Sequence, residues 1–116
     1  MYEHLFKVGR IGSVTLKNRI VMPAMVTGFA NANGEVTPQL IGYYTTRAKG
    51  GAGLIIIEGT YITEERGLAR LAIHNDQMIP GLNDLTEALH EWGTMAFDQL
   101  NHQGMYLWKN KNINNL

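Results

Sequence analysis

Gly50-Gly51-Ala52-Gly53-Leu54-Ile55-Ile56-Ile57-Glu58-Gly59 is the stretch that decides the fold. Three glycines in four residues stop whatever precedes them, and four consecutive aliphatic residues follow. An apolar run of strand length with no polar alternation is what a parallel strand covered on both faces requires. Gly50 to Gly53 superficially resembles a phosphate cradle, but it precedes a strand instead of opening a helix. The amide groups of a helix N-terminus are therefore not on offer, and the segment reads as a tight turn from helix into strand.

Upstream of this turn, Thr37-Pro38 is a strong helix start, with Thr37 as N-cap and Pro38 at the first helical position. Leu40, Ile41, Tyr44 and Ala48 fall on one face at helical spacing, and Gly50-Gly51 ends the helix. Further upstream, Ile20-Val21-Met22 is a short buried strand ended by Pro23, followed by a polar loop containing Asn31, Asn33 and Gly34. Between Lys7 and Lys17, pieces broken by Gly9 and Gly12, with Val14 and Leu16 alternating with polar neighbours, predict a small β-hairpin. Downstream, Leu82, Leu85, Leu89 and Trp92 make a second amphipathic face closed by Gly93. A third strand is predicted over Met95–Leu100, with Asp98 as its one discordant residue.

The order is therefore β-α-β-α-β, which argues for a parallel sheet with right-handed crossovers. The connections after the helices are short, and those after the strands, Pro23 to Val36 and Gly59 to Pro80, are long. Long loops gathered at the C-terminal ends of parallel strands are how a (β/α)₈ barrel builds its site. A doubly wound sheet also binds ligands at that end, and the loop asymmetry favours the barrel over it.

Composition narrows the function classes. The chain has 116 residues, 45% hydrophobic and 17% charged, with ten basic and ten acidic side chains and no net charge. That balance gives no electrostatic reason to expect nucleic acid or an anionic membrane as partner. No cysteine is present, so disulfides, thiolate metal sites and Cys-ligated iron–sulfur clusters are excluded within these residues. His4, His74, His90 and His102 lack the spacing of a metal site. No basic n-region with an apolar stretch opens the chain and no apolar run has spanning length, so a cytoplasmic protein is expected. Residues 105–116, rich in Lys and Asn and without periodicity, are expected to form a disordered tail after a domain of residues 1–104.

No nucleophile with an evident base stands out, and no catalytic residue is assigned. What remains are the groups at the strand ends: Met22 to Met25, Glu58-Gly59, and Gln99 to His102. In a barrel these would crowd one rim. Gln99 can donate and accept at once, which suits the pyrimidine edge of a flavin, although a strand-end glutamine also commonly satisfies local backbone. Backbone amides near Ala24 and Met25 could serve the flavin ring, and Gly59 would let a planar ring approach the main chain.

Leu5-Phe6, Ile11-Gly12 and Leu16-Lys17-Asn18-Arg19-Ile20-Val21-Met22 together resemble the opening of the old yellow enzyme and 2,4-dienoyl-CoA reductase type of NADH:flavin oxidoreductase. The similarity runs on through Tyr43-Tyr44, Arg47-Ala48, Gly50 to Ile56 and Glu58-Gly59. It resumes at Ile79, Leu82, Leu85-Thr86, His90, Gly93, Gln99-Leu100, His102 and Gly104. The resemblance implies the N-terminal three βα units of a TIM (β/α)₈ barrel that holds FMN noncovalently at its C-terminal face. NADH or NADPH would be the reductant, and an activated alkene such as an enoate or enoyl thioester the acceptor. It implies Pro23, Ala24 and Met25 as first-strand flavin contacts, Gly59 as the small residue after the second strand, and Gln99 beside the pyrimidine. Val26 stands where many relatives place a Thr or Cys that tunes the flavin, and an aliphatic side chain cannot make that hydrogen bond.

Relatives continue with Arg where Met105 stands, and the blocks of resemblance end at Gly104. The substrate-binding His/Asn pair, the catalytic Tyr and the late phosphate-binding loops expected of the family are not among these residues. A barrel needs about 250 residues, so the 116-residue chain alone is expected to be inactive and to bind FMN weakly or not at all. Its open sheet edges would call for a second copy or the missing C-terminal half. Two other readings stand beside this one. Another FMN barrel, such as a dihydroorotate or dihydrouridine reductase, is disfavoured by the Leu16–Met22 and Gln99–Gly104 blocks. A noncatalytic remnant or assembly module without flavin chemistry is the reading from a different class.

Overall fold

The computed structural model describes residues 1–106; the expected Lys/Asn tail lies, from residue 107 on, outside the described residues. Strands β1 (Gly9–Ile11) and β2 (Val14–Leu16) form an antiparallel two-stranded hairpin, with Gly12 at positive φ in the turn. Strands β3 (Val21–Met22), β4 (Leu54–Tyr61) and β5 (Met95–Asn101) form a parallel sheet in the order β3-β4-β5. Helix α1 (Pro38–Lys49) joins β3 to β4, and helix α2 (Ile79–His90), preceded by a 3₁₀ turn over Asp76–Met78, joins β4 to β5. The described residues thus hold two complete βαβ crossovers. After β5, Met105 and Tyr106 enter a helical turn.

Local chemistry explains the element ends. Thr37, in extended conformation, caps α1 by accepting from the Leu40 amide at 3.1 Å, and its own hydroxyl donates to Phe29 O at 2.6 Å. Arg47 and Lys49 lie in the last turn, favourable at the negative end of the helix. Helix α2 ends at His90, so Trp92 falls outside the amphipathic face expected for it. It is 42% exposed, and Lys49 Nζ lies 5.6 Å from its ring. The helix closes instead on Leu85 and Leu89, both fully buried.

The core lies between the sheet and the two helices. Ile55 and Ile57 of β4 face Leu40, Tyr44 and Ala48 of α1 and Leu85 and Leu89 of α2, with Leu71 from the β4–α2 loop completing the cluster. Each fully buried aliphatic side chain contributes roughly 1.5–3 kcal/mol relative to exposure. At the N-terminal end of the sheet, Asn18 Nδ2 donates to Gly51 O at 2.7 Å. Beside it, the fully buried Thr94 donates to Ala52 O at 2.7 Å. These contacts lock the turn that feeds β4.

The opposite, C-terminal end is built from the two long loops. The Ala72 amide donates to Gly34 O, the Tyr61 amide to Leu71 O, and the Ile73 amide to Tyr61 O, each at 2.9 Å. Arg66 spans the same two loops, donating to Ala32 O at 3.1 Å and Glu64 O at 2.8 Å. The loops are therefore stitched to each other and to the end of β4, where side chains for a site would have to be held.

Candidate functional site

β4 does not stop at Ile57. It runs to Tyr61 because a bulge absorbs one residue. Ile57 pairs with Asp98 and Thr60 with Leu100, so Glu58 and Gly59 together oppose Gln99. A bulge at a strand end re-aims side chains, and here it turns the main chain of Gly59 toward the side chains at the end of β5. A β-carbon placed on Gly59 would lie 3.3 Å from Asn101 Nδ2 and 3.6 Å from Gln99 Oε1. A larger residue would fill that gap, so the space over Gly59 is available only because it is glycine.

The sequence-predicted residues fall at one rim. Gly59 is buried and Gln99 exposed, and the two are neighbours across the bulge. Pro23, Met25 and Val26 are exposed and Ala24 is half-buried, on the segment leaving β3 at the same end of the sheet. A cavity of about 440 Å³ lies where β4 and β5 end, lined by Tyr61, Asn101, His102, Gln103 and Tyr106 and by none of these predicted residues. His102 Nδ1 accepts from the Gly104 amide at 2.9 Å, which fixes its ring at the cavity mouth.

Beneath the rim lies a polar group whose members the sequence reading named only as a strand-end residue, Glu58, and a discordant strand residue, Asp98, with no role for either. Glu58 is fully buried, and its carboxyl oxygens accept from Thr27 Oγ1 at 2.6 Å and, more weakly, from the Thr27 amide at 3.4 Å. The Glu58 amide donates to the Tyr44 hydroxyl at 2.8 Å, and burial pushes that phenol far above its ordinary pKa. Thr60, also fully buried, has its hydroxyl 2.9 Å from Glu58 O and 2.5 Å from Asp98 Oδ1. The available signal was a Glu closing an aliphatic run, together with an Asp inside a predicted strand.

Asp98 is where the charge balance becomes informative. Its Oδ2 is buried without a partner. The single Thr60 hydrogen can serve only one of its two acceptors, so a proton on Asp98 would complete the set. Consistently, burial above all, with the Glu58 carboxyl nearby, raises the Asp98 pKa above 3.8; bonds from Thr60 and the Gln99 amide oppose this. The folded chain therefore holds this proton more tightly than the unfolded one. That stability is fully present below the unfolded pKa and is lost as pH rises through the folded value. Asp98→Asn is expected to flatten the fall in stability as pH rises above the ordinary carboxylate value of about 4, read as urea midpoints from acid to neutral pH. An unchanged slope would show that Asp98 is ionised throughout.

A flavin fits this rim on two counts: the glycine gap beside Gln99, and an amide-bearing segment, Pro23 to Val26, at the same strand ends. Among the described residues no three His, Asp or Glu side chains group as metal ligands, and no helix is long and apolar enough to cross a membrane.

Comparison with known proteins identifies the family. The sequence model of the NADH:flavin oxidoreductase / NADH oxidase family matches residues 4–115, continuing past Gly104, where the blocks of resemblance had ended. The NADH oxidase of Thermoanaerobacter brockii is 42% identical over 106 residues, covering 89% of this chain and 16% of that protein. The structure of 2-naphthoyl-CoA reductase in complex with 2-naphthoyl-CoA superimposes with a TM-score of 0.84 at 35% identity, over 91% of this chain and 16% of that one. Old yellow enzyme from Pichia sp. AKU4542 does so with a TM-score of 0.83 at 26% identity, over 94% of this chain and 30% of that one. The chain thus spans between about a sixth and just under a third of the length of these relatives, and its α/β fold corresponds to part of their TIM barrels. With a family match over nearly its whole length, the chain belongs to the NADH:flavin oxidoreductase / NADH oxidase family.

Proposed function

We propose that this chain is the N-terminal part, three βα units, of an FMN-dependent NAD(P)H oxidoreductase that reduces activated alkenes such as enoates or enoyl thioesters. The observation that carries the reading is the Glu58–Gly59 bulge, which opens backbone space beside Gln99 at the rim where the β3 exit also lies. FMN, when bound, supplies hydride relay between a reduced nicotinamide and the alkene. Gln99 would pair with the pyrimidine edge through its amide, and Gly59 would admit the ring plane. Amides of the Pro23–Val26 segment would face the ring's central edge. Val26 adds no hydrogen bond there. A nicotinamide reductant suits a cytoplasmic setting.

Among the described residues β3 and β5 each keep one unpaired edge, and Val21, Met25, Val26 and Leu100 are exposed apolar side chains at the sheet and its rim. Unpaired edges and apolar surface favour association. We expect a C-terminal barrel half or a second copy to cover them, and the 116 residues alone to hold FMN weakly. The test is to purify the chain, add FMN, and read the visible spectrum, the flavin fluorescence and NADH or NADPH consumption with an alkene acceptor. Weak, unsaturated binding agrees with the proposal. A soluble monomer with stoichiometric, tightly held flavin overturns the expectation for the isolated chain. Complete indifference to FMN, even in an associated form, would favour a noncatalytic assembly module.

A further inference from the structure

We propose that Glu58 is a positioning residue for the Pro23–Val26 segment: by clamping Thr27 it sets where that backbone stands relative to Gly59 and Gln99. The inference rests on the flavin reading for its purpose, but not for its geometry.

Glu58 meets both halves of the rim at once. Its side chain accepts from the hydroxyl and the amide of Thr27, one residue beyond Val26. Its own amide is held by Tyr44 of α1, and its chain neighbour is Gly59 at the bulge. Thr27 passes the constraint on, since its Oγ1 accepts from the Phe29 amide at 3.1 Å. Phe29 in turn is fixed by the bond from Thr37 to its carbonyl and by its edge-to-face contact with Tyr43, ring centroids 5.6 Å apart. A segment with exposed Pro23, Met25 and Val26 has few apolar contacts to hold it, so this chain of hydrogen bonds decides its conformation.

A buried carboxyl group is an expensive way to gain stability, because its desolvation offsets most of what its hydrogen bonds return. It is an effective way to gain a unique geometry, because two donors from a single residue leave little freedom to either side. The Glu58 contacts therefore fit a positioning role better than a purely stabilising one.

The test compares Glu58→Ala, Thr27→Val and Thr27→Ser in the full chain by amide hydrogen exchange and by FMN fluorescence titration. Thr27→Val is nearly isosteric and removes only the hydroxyl, so it reports even if Glu58→Ala fails to fold. Both are expected to speed exchange at residues 23–29 by about tenfold or more, as for loss of a buried hydrogen bond, with Ile55–Ile57 unchanged. FMN affinity should fall in parallel, and Thr27→Ser should restore both readouts. Unchanged exchange at 23–29 in Thr27→Val, or no rescue by serine, would overturn the proposal. If exchange responds as expected while the parent chain, even in an associated form, shows no FMN affinity at all, the clamp stands and the flavin reading falls.

Discussion

Replacing Tyr44 by alanine is expected to leave the chain largely unfolded, with loss of about 3–5 kcal/mol, the usual cost of deleting a buried aromatic ring. The total margin of a small domain is about 5–15 kcal/mol, and the open edges of this sheet place it toward the low end. The ring is fully buried between α1 and β4 and makes an edge-to-face contact with Tyr43, centroids 5.2 Å apart. Its loss would empty the space that Ile55 and Ile57 pack into. Tyr44→Phe separates packing from hydrogen bonding. It keeps the ring and removes only the acceptor of the Glu58 amide, at an expected cost of about 1–3 kcal/mol for one buried donor left unpaired. Urea denaturation followed by far-ultraviolet circular dichroism measures both. A Tyr44→Phe chain as stable as its parent would mean that the Glu58 amide finds another acceptor, and that the hydroxyl does not hold the bulge.

The same residue shows how far the sequence could be read. Tyr44 was legible as a core residue, because it lies on one face with Leu40, Ile41 and Ala48. Its hydroxyl was not legible as a strand anchor, because its partner, the amide of Glu58, is fourteen residues away and exposed to it only by the bulge. Helix starts, the hairpin and the parallel strands follow from local chemistry: caps, turn glycines and apolar runs. The Glu58–Gly59 step near the end of β4 does not. Glu58 and Gly59 are poor strand formers, and this end of β4 is held in the sheet by bonds from Glu58 and Thr60 to Thr27, Tyr44 and Asp98 of three other segments. For the same reason Asp98, discordant in a predicted strand, turned out to lie inside β5 with Thr60 as its partner. The candidate flavin residues were found by resemblance and strand-end position. The clamp beneath them depends on pairing between distant segments, which periodicity does not encode.

Gly53→Ala should be the most costly of the small glycine changes, and its comparison with two neighbours makes the reason testable. A β-carbon at Gly53 would lie 2.6 Å from Asn18 O and closer still to Asn18 Oδ1. The carbonyl is main chain and cannot swing aside. The side chain could, but only by releasing its bonds to Gly51 O and the Ile20 amide. The Gly53 amide donates to Ile20 O at 2.9 Å while its carbonyl accepts from the Met95 amide at 3.0 Å, so the residue ties the entry of β4 to the segments leading into both neighbouring strands. Overpacking at such a point typically costs about 1–3 kcal/mol or more. Gly51→Ala meets nothing within 4 Å, but φ is +110° there, so its cost is backbone strain alone, of order 1–3 kcal/mol. Gly42, inside α1, also meets nothing within 4 Å and has ordinary helical φ, so Gly42→Ala should stabilise by about 0.4–1 kcal/mol. Three chemically identical substitutions within twelve residues are thus expected to differ in sign. Because β4 carries Glu58 and Gly59 at its far end, a shift at Gly53 should also reach the rim as faster exchange at residues 23–29. If Gly53→Ala proves as harmless as Gly42→Ala, then Asn18 does not lock the entry of β4, and the register of the bulge must be set from the rim alone.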